Sequence, residues 1–294
     1  MQKAQIGIIG GSGLYNIEGI KNIKSVNVTT PFGKPSSKYI IGQLGQRTVA
    51  FLPRHDVGHR LLPSELNYRA NIFGFKKLGV EQIIAISAVG SLKEEIAPLD
   101  IVIPHQFFDR TTHRHQTFFG EGVVAHIPFA HPICMDLAEV LHKAAKKTEI
   151  NIHWGGTYLN MEGPAFSTKA ESEVYRQWGM DIIGMTNLAE AKLAREAEIC
   201  YATIALVTDY DCWHPSHETV TVDMVVKNLL KNVTNAKKIL ELALPHIPLE
   251  RKCKCKDALK YAFATDKKII PEKIRKKLNL IIGKHISPHE ANYF

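Results

Sequence analysis

The chain lacks any run of about 18 apolar residues, so no segment reads as a membrane span. No secretory leader is expected either. Met1-Gln-Lys-Ala-Gln5 leads straight into Ile6–Ile9, which is too short for a signal-peptide core, and no small-residue cleavage site follows. A cytoplasmic protein with no membrane contact is expected. Internal repeats and low-complexity segments are missing as well. Cysteine is scarce, with five in 294 residues. Cys134, Cys200 and Cys212 are scattered, and Cys253-Lys-Cys255 forms a pair. A zinc site of ordinary spacing needs further His or Cys at similar intervals, and none is visible along the chain. The cysteines therefore read as buried, idle thiols, or the tail pair as a disulfide, and no metal is expected.

Acidic excess is absent too: the formal net charge is +8. From Arg251 onward there are twelve Lys or Arg against four Asp or Glu, so the residues before it are neutral overall. A nucleic-acid binder would set its basic residues near stacking aromatics; the tail holds Tyr261, Phe263, Tyr293 and Phe294, but no nucleic-acid partner is expected. The charge belongs to a partly helical C-terminal extension, 249–294, following one domain at 1–248. Such charge runs are usually solvated.

What is present is an alternation of apolar strands and amphipathic helices. Gly7-Ile-Ile-Gly-Gly-Ser-Gly13 reads as a strand running into a glycine turn, and Tyr39–Leu44 and Arg47–Leu52 form a hairpin around Gly45-Gln46. Ser64–Leu78 has helical spacing and stops at Gly79. Strands follow at Gln82–Ser87, Asp100–Pro104, Ile152–Met161, Ile182–Met185 and Tyr201–Thr208. Helices are predicted over Asp136–Lys147, Ser167–Trp178, Ala189–Ala197 and Asp223–Leu244, with helical patches at Asp257–Phe263 and Pro271–Leu278. This pattern predicts an α/β fold, and the hairpin makes its central sheet mixed.

In such sheets the loops after the strands collect at one edge and form the site. Gly10-Gly-Ser12-Gly13 offers backbone N–H groups and the Ser12 hydroxyl to an anion. It lacks the third glycine of a dinucleotide fingerprint. Arg54 and His55 follow the strand ending at Leu52, with His59 and Arg60 close behind, and arginine binds phosphate as a planar fork. Ser87-Ala88-Val-Gly90-Ser91 and Gly184-Met185-Thr186-Asn187 add small and hydroxyl residues. Asp209 and Asp211 stand two apart at the end of a buried strand. One of the two could instead cap a turn. The set suggests a pocket with a phosphate end and a carboxylate end, suited to glycosyl transfer onto phosphate.

Seven segments, Gly7-Ile-Ile-Gly-Gly-Ser-Gly13, Thr30-Pro-Phe-Gly-Lys-Pro-Ser36, Pro53-Arg-His55, Asn67-Tyr-Arg-Ala-Asn71, Asp109-Arg-Thr-Thr112, Glu162-Gly-Pro-Ala-Phe-Ser167 and Thr208-Asp-Tyr-Asp-Cys-Trp213, occur in order. Together they resemble the 5'-methylthioadenosine phosphorylases of the trimeric purine nucleoside phosphorylase family over about the first 245 residues. The resemblance implies one α/β domain with a barrel-like mixed sheet flanked by helices, assembled as a homotrimer or as a hexamer of trimers. It implies phosphorolysis of 5'-methylthioadenosine, with phosphate as co-substrate and no cofactor. The alternative is a purine nucleoside phosphorylase acting on adenosine, inosine, guanosine or methylthioinosine. By the same resemblance, Ser12, Arg54, His55, Ser87, Ala88 and Thr186 hold phosphate. Met185 lies against the ribose, Phe166 stacks on the base, and Ser167, Asp209 and Asp211 form the base end, with Asp209 catalytic. Val222, Val225 and Val226 wall the methylthio group, and His126 arrives from a neighbouring subunit. Gly184 departs from the pattern, standing where asparagine is expected, and so looks more like the 6-oxopurine branch.

Overall fold

Two strands with almost uninterrupted apolar character organise the molecule: Gln82–Ser91 (β5) and Cys200–Asp209 (β11). Buried on both faces, they are rich in Ile, Val and Ala and pair in parallel over nearly their whole length, as expected of strands at the centre of an α/β sheet. The computed structural model describes residues 3–11, 19–215 and 221–286; Ser12 lies outside the described residues. Around the central pair are Ile6–Gly10 (β1), Lys21–Val26 (β2), Tyr39–Leu44 (β3) and Arg47–Pro53 (β4). Ile101–Ile103 (β6), Gln106–Arg110 (β7), Ile152–Trp154 (β8), Thr157–Met161 (β9) and Ile182–Gly184 (β10) complete the sheet.

The sheet runs β2-β3-β4-β1-β5-β10-β9-β7, and β11 branches from β5 to pair with β6, which pairs with β8. Six of the pairings are parallel and four antiparallel. Because β5 serves β1, β10 and β11 at once, the sheet curls on itself, as the mixed, barrel-like reading expects. The β3–β4 hairpin has the expected register, with Leu44 opposite Arg47 across Gly45 (φ +61°).

Helices cover the faces. Tyr68–Lys77 (α1) is capped by the Asn67 side chain, and Met135–Ala145 (α2) starts at Cys134. Lys169–Gln177 (α3) carries a capping box in which Thr168 Oγ1 accepts from the Glu171 N–H and Glu171 accepts from the Thr168 N–H. Asn187–Glu196 (α4), Val222–Ala243 (α5) and Glu272–Ile282 (α6) complete the set. The α2 and α5 helices pack on β11 and on each other, while α1 meets α4. No described helix is long and apolar enough to cross a membrane.

The structure departs from the sequence reading in four places. The predicted strand 152–161 is two strands, because Gly155 and Gly156 both take positive φ and turn the chain. The edge strands β2 and β7 were not foreseen: both are mostly exposed, so no apolar period marks them. The patch 257–263 is a short 3-10 turn at Lys254–Asp257 followed by irregular turns, not an α-helix. Cys253 and Cys255 do have partners after all, since the fold brings their sulfurs to those of Cys134 and Cys200.

The C-terminal extension lies on the domain. Leu259, Ile270, Ile274 and Leu278 join the same apolar cluster as β1, β4 and β5. Buried Glu198, just before β11, receives it: His285 Nε2 is 2.9 Å and Lys284 Nζ 2.7 Å from its carboxylate, and the Leu259 N–H donates to it. Burial works to raise the Glu198 pKa, and the hydrogen bonds from His285, Lys284 and the Leu259 N–H outweigh it and hold the pKa below the ordinary value.

Candidate active site

The exits of β1, β4, β5 and β11 lie side by side because these four strands are parallel. β10 runs antiparallel to β5, with Ile183 opposite Gly90, so Met185 and Thr186 run back toward Ser87. Most of the residues singled out by sequence sit on this edge. A cavity of about 210 Å³ lined by Lys3, Arg47, Glu81 and Gln82 lies at the opposite ends of β1 and β5 and contains none of them.

At one end of the edge is Arg54, only 2% exposed. Its backbone N–H donates to Gly10 O, which ties the exit of β4 to that of β1. Its guanidinium forks onto Glu190 of α4, with Nε–Oε1 2.5 Å and Nη2–Oε2 3.0 Å. Nη1 donates to Ile86 O (2.8 Å), and Nη2 reaches toward Ile9 O (3.5 Å). Four of the five N–H groups are thus directed at protein acceptors, leaving one on Nη1 for an oxyanion. Glu190 also accepts from Tyr201 Oη at 2.8 Å. Arg54 is therefore one half of a buried ion pair.

His55 is buried beside it. Its Nδ1–H donates to Leu61 O (2.8 Å), and its ring stacks on His59 at 4.3 Å. Burial, against the Leu61 hydrogen bond and with help from the charges of Arg54 and Arg114, brings its pKa down to about 4. The ring is neutral at pH 7, and with Nδ1 committed as donor its Nε2 is an acceptor. His55 thus meets the phosphate end as an acceptor rather than as a cation.

Ser87 and Thr186 are buried nearby and Ala88 is partly open. The Ser87 hydroxyl is 3.4 Å from Tyr158 Oη. Thr186 is the residue before α4, and its side chain does not cap that helix. Gly184 has a packing reason: a Cβ there would overlap the Tyr158 hydroxyl.

At the other end β11 bulges. Val207 faces Val89 and Asp209 faces Gly90, so Thr208 is the extra residue. A bulge re-aims the side chains that follow it. Gly90 leaves room, since a Cβ there would lie 2.9 Å from Asp209 Oδ1. From α5, Asn232 and Asn228 donate to the carbonyls of Val207 and Thr208 and hold the bulge in place.

Thr208 Oγ1 donates to Asp209 Oδ2 at 2.7 Å. Burial nevertheless pushes the Asp209 pKa up to about 7, with the charge of Asp211 adding to the effect. Asp211 is also raised by burial, against the pull of Ser172, the Cys212 N–H and Ser167. Its Oδ2 meets no donor among the described residues.

Ser167 O accepts from Cys212 Sγ (3.3 Å), which places the loop after β9 against this end. Met185 lies on Gly163 of the same loop. Phe166, Val222 and Val226 are exposed, and Val225 is half-buried. The ends are connected by β5: Ile86 O meets Arg54, and Gly90, four residues on, meets Asp209. The separation is about 13 Å along the strand.

His126 is not part of this cluster. It is exposed, its N–H donates to Ala262 O, and nearby Leu259 binds Glu198 at the start of β11. That is the far end of the strand from Asp209, roughly 30 Å away.

Sequence reasoning missed Glu190, Tyr158, Tyr201 and the two asparagines of α5. Glu190 left a trace, as it shares a helical stripe with Leu193, Ala194 and Ala197, all buried. A carboxylate on an apolar stripe announces a buried cationic partner.

The description "Phosphorylase superfamily" belongs to the family model that matches residues 5–245. The chain belongs to the phosphorylase superfamily. A superfamily relative from Koribacter versatilis, S-methyl-5'-thioadenosine phosphorylase, is 58% identical over 98% of this chain and 99% of its own. The similarity thus runs through the basic extension, beyond the segments recognised by sequence. A methylthioadenosine phosphorylase from an antarctic soil metagenomic library superposes with a TM-score of 0.91 at 48% identity, covering 96% of this chain and 99% of that one. A mutant adenosine/methylthioadenosine phosphorylase from Schistosoma mansoni, in complex with methylthioadenosine, superposes at 0.82 with 39% identity, covering 88% and 96%.

Proposed function

We propose that this chain cleaves 5'-methylthioadenosine with inorganic phosphate, yielding adenine and 5-methylthioribose 1-phosphate. The relatives named above support the substrate. The observation that carries the chemistry is Asp209: a buried carboxyl poised near pH 7, on the same strand edge as Arg54, Ser87 and Thr186.

Phosphate is held by the remaining Arg54 N–H, the Ser87 and Thr186 hydroxyls, the backbone at Ala88 and the N-terminus of α4; Ser12 belongs to this group by resemblance. Neutral His55 accepts the P–OH proton of hydrogen phosphate through Nε2. The glycosidic bond lengthens first, and the anion stabilises the oxocarbenium character at C1' before capturing it with inversion. Protonated Asp209 donates to N7 as negative charge grows on the leaving adenine. The orphaned Asp211 Oδ2 is suited to accept from an adenine amino group, a pairing that hypoxanthine does not offer. Gly184, the residue that suggested a 6-oxopurine specificity, is accounted for by Tyr158. No cofactor enters this scheme.

A homotrimer is part of the proposal, with trimers pairing to a hexamer as its extension. Phe166, Val222 and Val226 are exposed in the single chain, and a neighbour's His126 would close the valine wall over them. Light scattering should give a trimer or a hexamer, and a monomeric active enzyme would refute the shared site.

The deciding assay offers methylthioadenosine, adenosine and inosine to the purified protein, with and without phosphate. Cleavage should require phosphate, and kcat/KM should fall in that order. Turnover without phosphate, or inosine used as well as methylthioadenosine, would overturn the reading.

A further inference from the structure

Four of the five cysteines meet at one point far from the active-site edge. The sulfurs of Cys134, Cys200, Cys253 and Cys255 all lie within 4.8 Å of one another, and Cys200 Sγ is 3.2 Å from Cys253 Sγ. All are free thiols; Cys134, Cys200 and Cys255 are buried and Cys253 is half-buried. They come from three parts of the chain: the N-cap of α2, the first residue of β11, and the two flanks of Lys254 in the extension.

We propose that these four cysteines bind a structural zinc ion that fastens the C-terminal extension to the sheet. Zinc takes four thiolates tetrahedrally with Zn–S near 2.3 Å, which sets the sulfurs about 3.8 Å apart; the cluster already has that size. Its depth fits a closed structural site, with no position left open for water. Binding displaces the four thiol protons, so Zn²⁺ and four Cys–SH become a dianionic Zn(S-Cys)₄ centre and four H⁺.

The surroundings offset that charge. Arg251 lies beside Cys200 while donating to Glu198 O. The positive end of α2 begins at Cys134, whose side chain makes no capping bond. The backbone N–H of Cys255 is directed at Cys253 Sγ. The framework holds the ligands without the metal, since the Cys134 N–H donates to Tyr201 O, next to Cys200. Three separate chain segments supplying four sulfurs around one centre suit a single ion better than two independent cross-links.

The test uses the full chain, purified under reducing conditions with zinc present and then passed over a desalting column. Elemental analysis should find about one zinc per chain. Cys200→Ser and Cys255→Ser should lose it, and Cys212→Ser should keep it. In the native protein the four thiols should resist a thiol reagent until a strong chelator is added, and chelation should lower the melting temperature reversibly. If the serine variants fail to fold, cobalt exchanged into the native chain reads the same ligands, through the intense visible bands of tetrahedral thiolate–Co(II). The idea is overturned by metal-free protein with all cysteines reactive. It is equally overturned if denaturation without reductant exposes only Cys212, which would mean that the cluster is two disulfides.

Discussion

The two ends of the candidate site solve the problem of buried charge in opposite ways. At the phosphate end, Arg54 is matched by Glu190, Glu190 by Tyr201, and two of the three remaining guanidinium donors by carbonyls at the exits of β1 and β5. At the base end, two carboxyls sit buried with no cation among their hydrogen-bond partners, and one oxygen of Asp211 meets no donor among the described residues. The first end has its charge matched before a ligand arrives and keeps one N–H for it. The second is left under-satisfied, which raises its pKa values and reserves its acceptors for a donor-bearing base. Stability should therefore reside at one end and chemistry at the other.

The sharpest way to break this contrast is Asp209→Asn. The amide fills the same space beside Gly90 but has no acidic proton for N7. We expect kcat on methylthioadenosine to fall by about 10²–10⁴ with little change in KM. Stability should hold or rise, because a carboxyl that burial penalises has been removed. Retained activity would eliminate Asp209 as the acid.

Glu190→Gln probes the opposite end. It leaves a buried guanidinium without its counter-charge, which typically costs about 3–5 kcal/mol. Urea denaturation should show this loss in the midpoint. Activity per folded molecule should change less than in Asp209→Asn. A variant as stable as the parent would mean that Arg54 does not depend on the pair.

How much of this contrast was legible beforehand follows from the range of the interactions. The strands β5 and β11 and the β3–β4 hairpin are local patterns of burial and turn chemistry, and the sequence displays them directly. Asp209 and Asp211 are visible because strand ends collect at one edge. The partnership of Arg54 with Glu190 spans 136 residues, and nothing in either neighbourhood names the other. The neutral state of His55 depends on its burial beside Arg54 and Arg114, again a property of the folded edge. The cysteine cluster escaped for the same reason: spacing rules read ligands along the chain, and here they converge from three segments. Edge strands β2 and β7 escaped for a different one, since exposure removes the apolar alternation that would mark them.

The pH dependence comes next in size. Asp209 must carry its proton, so activity should be lost as pH rises through about 7, with kcat falling tenfold per unit well above it. The same raised pKa affects folding. The native chain keeps a proton that the unfolded chain releases near pH 4, so stability should decline as pH rises from about 4 to 7. Glu196, pushed up to about 7 by burial at the end of α4, adds to this decline. In Asp209→Asn the stability slope should become shallower while the part due to Glu196 remains. An unchanged slope would show that Asp209 titrates alike in both states.

The smallest effect is the most discriminating. Thr208 is the extra residue of the β11 bulge, and its hydroxyl donates to Asp209 Oδ2 at 2.7 Å. This bond favours the ionised carboxylate and opposes burial, so it lowers the Asp209 pKa. Thr208→Val keeps the β-branched shape and removes the donor. The basic limb of the kcat profile should then move to higher pH, and the enzyme should stay active where the parent has faded. A merely structural role for Thr208 would lower activity at every pH without moving the limb. A limb displaced to lower pH would contradict the assignment, because it would require the lost hydroxyl to have favoured the protonated acid.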